Sequence, residues 1–332
     1  MSTAAGPSRG LPDIRALLAH PAVVDNGRRF GIWFALLALM VVGGSLSPAF
    51  LTPTYLLTIV AQASIVGVAA IGVTMVMITG RIDVSVAGVI TLTGFIAVGI
   101  MHGNDKNIVP AVAAVVAVGL AVGLINGYLI AFWGVESFIV TLAMGATLIG
   151  VAELYTGGFT FGDPAPAFVN FFAWRPGGIP TLALLFATVA GIGLLLVRRT
   201  TFGQRLFLIG GNYRSAYLSG VPIRRTIVLA YAAAGVCAAI GSLALIGFAG
   251  VPSGFTGLGL EFQVLAAVVL GGTTFEGGRG GIAGTVAGVL TLAVASTLVI
   301  ILGFPFAAQQ VVTGAIIVAV GCAYAASLRK EE

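Results

Sequence analysis

Four charged side chains stand in two short glycine-bearing turns. Arg81 and Asp83 lie in TGRIDVSVAG, residues 79–88, and Glu276 and Arg279 in LGGTTFEGGRGGIAGT, residues 270–285. A carboxylate and a guanidinium at this spacing can close a turn as an ion pair. The same pair between two apolar runs can instead line a pathway between helices. Ser85 and Thr273 add hydroxyls to the same turns. Such groups recognise and hold; their arrangement offers no route to covalent chemistry.

Catalysis finds little support elsewhere. The two lysines, Lys106 and Lys330, complete no G-x-x-x-x-G-K-[ST] pattern, so ATP would have to be hydrolysed by another chain. His20 and His102 have no partner pattern for a metal or a hydrolase, and no catalytic or metal residue is assigned. Cys237 and Cys322 lie in apolar runs without ligand spacing and read as buried structural thiols. None of the 11 acids falls at the centre of an apolar run; Glu153 is the deepest candidate. That weakens ion coupling through a carboxylate, although sodium held by backbone carbonyls stays open.

The elements that must position these groups are membrane helices. The 332 residues are 58% hydrophobic and 8% charged, with a mean hydropathy of +1.10. A soluble domain carries about 25% charged residues. The fold class is therefore an all-α polytopic membrane protein. A span needs about 20 mostly apolar residues. Apolar runs occur at 30–47, 55–79, 84–101, 108–132, 137–155, 180–197, 226–249, 262–275, 282–302 and 306–328. About ten transmembrane segments are expected, with eight or nine as alternatives. The eighth run is short, ends in Gly271-Gly272, and reads as a broken or partly inserted helix.

Residues 1–29 form a polar arm in which Leu11–Leu18 could make a short amphipathic surface helix. No apolar stretch follows Met1 directly, so no cleaved signal peptide is expected. If the arm is cytoplasmic and all ten runs cross, every lysine and arginine except Lys106 and Arg175 falls on the inner side. The expected organisation is a cytoplasmic arm at 1–29, a transmembrane domain at 30–328 with an inner loop at 198–225, and a cytoplasmic tail at 329–332. The net charge of +5 then sets topology and marks no nucleic-acid surface.

Two further patterns stand out. VAGVITL at 86–92 and VAGVLTL at 286–292 agree at six of seven positions, each after a Gly-Arg pair, and suggest a repeat in the same orientation. Chance agreement in a chain rich in Ala, Gly and Val is the alternative. The inner loop RRTTFGQRLFLIGGNYRSAYLSGVPIRRT, residues 198–226, contains a short helix between glycine joints. Asn212 is suited to the N-cap, Tyr213–Ser219 to about two turns, and Gly220 to the stop. Arg205, Gly211, Arg214, Ser215 and Ser219 complete this candidate surface. An ordinary positive-inside loop with an interfacial helix is the bland alternative.

With LINGYLIAF at 124–132 and SFIVTLAMG at 137–145, these motifs resemble the inner-membrane permease of bacterial ABC sugar importers. The ribose, xylose, arabinose and galactose systems are the nearest group, and the likeness runs from about residue 50 to 325. The resemblance implies a second permease copy, identical or different, two cytoplasmic ABC ATPase subunits and a periplasmic sugar-binding protein, in the bacterial inner membrane. It implies no cofactor on this chain, with ATP and magnesium on the ATPase partner. Asn212–Ser219 would be the coupling helix, and the turns holding Arg81, Asp83, Ser85, Thr273, Glu276 and Arg279 would be gate or ATPase-facing elements. Where the family commonly reads G-G-I-D-L-S-V-G, this chain has Arg81 and Ala87 in place of glycines, and Gln263 stands where Asp is frequent.

A neutral monosaccharide calls for hydroxyl and amide groups along its path. The candidates are Gln62, Ser64, Thr74, Thr91, Asn126, Thr141, Gln309 and Gln310, with Gln62 and Asn126 foremost. Helix–helix hydrogen bonds, or bonds back to the same helix, compete with that role. Three rival functions remain at this level: a branched-chain amino acid-type ABC permease, an ion-coupled secondary transporter and a membrane scaffold.

Overall fold

The computed structural model describes residues 21–159, 162–250, 257, 259–305, 308–312, 314–315 and 318, with side chains from residue 31. The first 20 residues, most of the tenth apolar run, Cys322 and the tail at 329–332 lie outside the described residues. All regular structure among the described residues is helical. In chain order the helices are α1 (Pro21–Leu46), α2 (Pro53–Ile78), α3 (Val86–Met101), α4 (Ile108–Phe132), α5 (Ser137–Thr156) and α6 (Pro166–Ala173). They continue with α7 (Thr181–Arg199), α8 (Thr201–Gly211), α9 (Tyr213–Leu218), α10 (Ile223–Ala249), α11 (Leu260–Leu270) and α12 (Ile282–Ile301).

Among the described residues, six helices are long and apolar enough to cross a membrane: α2, α4 with the turn before it, α5, α7, α10 and α12. The apolar part of α1, together with α3 and α11, is shorter. Local chemistry sets the boundaries. Pro53 occupies the first turn of α2, where a missing N–H costs nothing. The Glu136 carboxylate accepts the Ile139 N–H at 3.1 Å to cap α5, and the Thr200 hydroxyl accepts the Gly203 N–H at 3.3 Å to start α8.

α2 and α10 are the buried centre of the bundle. α4 lies against α10 along Gly119, Gly123 and Gly127, one glycine every fourth residue. A Cβ on Gly123 would overlap the Tyr231 carbonyl, and one on Gly235 would overlap that of Gly119. Backbones this close pack through small residues, the usual means of helix association where lipid removes the hydrophobic drive. Leu154, Ile139 and Leu195 point outward from α5 and α7, as a lipid-facing surface requires.

The connections gather at two ends. One end holds the segments 79–85, 133–136, 200–222 and 271–281, and with them Arg81, Arg198, Arg199, Arg205, Arg214, Arg224, Arg225 and Arg279. The other end holds Lys106 and Arg175. There the Gly103 N–H donates to the Asp163 carbonyl at 2.9 Å, and the Asp105 carboxylate accepts the Ala167 N–H at 2.9 Å. The basic asymmetry read from the sequence is thus an asymmetry between two faces of one bundle.

The inner loop differs from expectation. It contains two helices, α8 and α9, rather than one. Gly203 and Gly210, two of the glycines that punctuate the loop in sequence, lie inside α8. Their role is close approach: a Cβ on Gly203 would overlap Val197, and one on Gly210 would overlap the Ile78 carbonyl.

Candidate functional site

The basic face brings three distant segments into backbone contact. The Gly278 N–H donates to the Ile78 carbonyl at 2.9 Å, joining the α11–α12 turn to the end of α2. Gly210 packs on both Ile78 and Gly278, and a Cβ on Gly278 would lie 2.8 Å from the Gly211 Cα. Gly80, with φ of 74°, faces the Glu276 carbonyl, where a Cβ would stand 2.8 Å away. At Gly80 and Gly278 both the left-handed backbone and the lack of space call for glycine. No side chain cushions this junction: α8 meets the end of α2 and the α11–α12 turn main chain to main chain.

α9 projects from the junction. The Asn212 side chain accepts the Ser215 N–H at 2.8 Å. The Gly220 N–H reaches the Tyr217 carbonyl and the Val221 N–H the Ala216 carbonyl, both at 3.1 Å. With Gly220 at φ 73°, this is a complete Schellman stop. Caps at both ends make a six-residue helix stiff, although a free peptide of that length would not be helical. Ala216 is buried beneath it, while Tyr213, Arg214, Ser215, Tyr217, Leu218 and Ser219 are exposed. Arg205 on α8 is half-buried, and the Arg224 guanidinium sits 5.3 Å above the Phe132 ring, tying α10 to α4.

The segment after Ile78 is non-helical and runs back between helices. The Ile82 N–H donates to the Ser137 hydroxyl at 3.2 Å, and the Val84 N–H to Thr141 at 3.1 Å. The Tyr231 hydroxyl donates to the Ile82 carbonyl at 2.8 Å. Asp83 is 3% exposed; its Oδ1 accepts the Ser85 N–H at 2.9 Å and the Ser85 hydroxyl at 2.6 Å. The Asn126 amide in turn donates to the Ser85 Oγ at 3.0 Å. Tyr231→Phe should therefore weaken the segment's hold by about 0.6–2 kcal/mol, seen as a lower unfolding midpoint of the purified protein in detergent.

The ion-pair expectation for this turn does not hold. Arg81 is half-buried and donates to the Thr79 carbonyl at 3.2 Å, while Asp83 spends its hydrogen bonds on Ser85. Burial lowers the Arg81 guanidinium from its ordinary value. Arg81 borders a cleft of about 500 Å³ shared with Gly80, Glu136, Ser137, Asn212, Tyr213 and Glu276. Glu276 and Arg279 are exposed and Thr273 is buried, its hydroxyl accepting the Gly281 N–H at 3.4 Å.

Gln62 is exposed on α2 and does not join Asn126. Ser64 and Thr91 bond back to their own helices at 2.7 and 2.9 Å. Thr74 bonds Thr285 across to α12 at 2.7 Å. Tyr231 was missed by sequence reading. An aromatic residue within an apolar run carries no local mark of a hydrogen bond to a segment 149 positions away.

Residues 55–321 match the family model described as branched-chain amino acid transport system / permease component. The chain belongs to that permease family. It is 33% identical to the ribose import permease protein of Escherichia coli K12 over 287 residues, covering 85% of this chain and 89% of the relative. It is 31% identical to the D-allose transport system permease protein of the same strain, over 88% of this chain and 90% of the relative. The L-arabinose ABC transporter permease protein of Azospirillum brasilense is 30% identical, over 96% and 94%. No solved structure matches. The permease is thus a transport subunit by family, and its relatives cover nearly its whole length.

Proposed function

We propose that the permease forms the pathway of an ATP-driven importer for a monosaccharide or related polyol. The observation that carries this reading is α9: a rigid, doubly capped helix, rooted on Ala216 beside the glycine junction, that presents Tyr213, Arg214, Tyr217 and Leu218 outward. Aromatic residues and arginine clustered on an exposed helix are the composition of a protein-binding hot spot. The partner is a cytoplasmic ABC ATPase that binds ATP and magnesium, and this chain binds no cofactor of its own. A rigid-body movement of α9 would pass through Gly210 and Gly278 into the membrane helices.

The remaining parts follow from the same reading. A second permease copy, identical or different, completes the pathway, and a periplasmic sugar-binding protein delivers substrate. The basic face is cytoplasmic by the positive-inside rule, which puts both termini in the cytoplasm of a bacterial inner-membrane protein with about ten crossings. The arm at 1–29, the membrane domain at 30–328 and the tail at 329–332 keep the boundaries given above. VAGVITL and VAGVLTL support a same-orientation repeat: each holds a glycine at a close helix contact, Gly88 on Gly145 and Gly288 on Ala267. The family description names branched-chain amino acids, whereas the relatives named for ribose, D-allose and L-arabinose favour a neutral polyhydroxyl substrate.

The test is purification of the tagged permease from its native membrane in mild detergent. An ATPase subunit should accompany it, and should be lost when Asn212–Ser219 is replaced by a Gly/Ser linker in a protein that still inserts. Persistent absence of an ATPase, with uptake driven by a sodium or proton gradient in proteoliposomes, would replace this reading with secondary transport.

A further inference from the structure

α11 is too short to cross a membrane. Its 11 residues cover about 16 Å at ~1.5 Å per residue, roughly half of a ~30 Å hydrocarbon core. Its C-terminal end is held at the basic face, where Gly271 packs on Gly284 and the following turn meets Ile78. Its first turn therefore lies near mid-membrane. A second route gives the same depth. Gly257, just before α11, packs on the Ala87 carbonyl and the Thr91 hydroxyl, in the first two turns of α3. α3 itself begins inside the bundle, because Ser85 is bonded to Asn126, six residues short of the end of α4.

Glu261 stands in that first turn. Its Oε2 atom is buried and has no hydrogen-bond partner among the described residues. An acid at this position suits the helix dipole, but a capping carboxylate oxygen accepts an amide proton, and Oε2 accepts none. The arginine nearest in the following chain, Arg279, is beyond the opposite end of α11. An unpaired carboxylate oxygen at this depth is costly unless a donor arrives to meet it.

We infer that Glu261 is a substrate contact of the pathway, its carboxylate accepting hydrogen bonds from the hydroxyls of a neutral polyol in transit at mid-membrane depth. The inference rests on the importer reading above. Hydroxyls donate, an ionised carboxylate only accepts, and its two oxygens can meet neighbouring hydroxyls of one sugar. A half-helix whose N-terminus lies at mid-membrane depth is an arrangement in which membrane transporters place substrate. A single acceptor of this kind orients a passing sugar without trapping it.

The test uses the complete importer in proteoliposomes, with D-ribose, D-allose and L-arabinose as probes and the deoxy analogue of whichever is carried. Glu261→Gln should lower uptake about tenfold and erase the preference for the parent sugar over its deoxy analogue. ATP hydrolysis should stay within about twofold of the unsubstituted importer. Unchanged uptake with unchanged preference would overturn the assignment. So would failure of the variant to insert or assemble, which would mark Glu261 as a packing group. If the unsubstituted importer carries none of the three sugars, the substrate reading itself fails, separately from any effect at Glu261.

Discussion

Gly210→Ala is expected to lower ATP-driven uptake about tenfold or more while the protein still inserts and still recruits its ATPase. Gly210 sits between the Ile78 carbonyl and Gly278, and a Cβ there has no free volume to enter. The obstacle is main chain on both sides, which cannot turn aside as a flexible side chain can. Overpacking of this kind costs about 1–3 kcal/mol, and 1.4 kcal/mol is a factor of ten in a population or a rate. The cost falls on the seating of α8 against α2, and a substitution that penalises one arrangement shifts the balance away from it. Gly211→Ala is the control, because a Cβ at that exposed position meets nothing. Initial rates of labelled-sugar uptake and of ATP hydrolysis, measured on the same vesicles, check the prediction. Equal uptake by both variants would show that the junction does not carry the movement.

Asp83→Ala should have the larger effect on stability, about 3 kcal/mol or more. The Asp83 carboxylate accepts both the N–H and the hydroxyl of Ser85, and hydrogen bonds to a charged group contribute about 1.5–3 kcal/mol each. Its removal leaves the Ser85 N–H buried without a partner at the start of α3. It also frees the hydroxyl that orients the Asn126 amide. Asp83→Asn keeps an acceptor oxygen and should lose about half as much. Arg81→Ala gives the decisive contrast, with an expected loss below about 1 kcal/mol, because half-buried Arg81 makes one bond, to its own turn. Unfolding midpoints of the three purified variants in detergent supply the comparison. Matching losses for Asp83→Ala and Arg81→Ala would restore the ion pair that the structure dissolves.

The bundle and its caps were legible in the residues because their causes are local. Hydropathy over windows of about 20 residues marks a span wherever it occurs, and nine of the ten runs coincide with described helices. Asn212 and Gly220 announce α9 because a cap is made by residues a few positions apart. α8 was overlooked for the same local reason. Glycine lowers helix propensity, and the contacts that reward Gly203 and Gly210 come from Val197 and Ile78, of which Ile78 is far away in the chain.

Residue types and spacing alone were enough to read a helical membrane protein with an uneven basic distribution, a capped two-turn helix in its longest basic loop and no completed P-loop pattern. Its motifs sufficed to point to the importer permeases. It took the folded chain to show that Ile78, Gly80, Gly210 and Gly278 meet, that Asp83 serves Ser85 rather than Arg81, and that Asn126 bonds the turn at Ser85. It alone shows Glu261 in the first turn of an 11-residue helix with a buried oxygen. Main-chain contacts between distant segments leave no periodicity or spacing to read, since a glycine at a helix crossing and a glycine in a loose joint are the same letter.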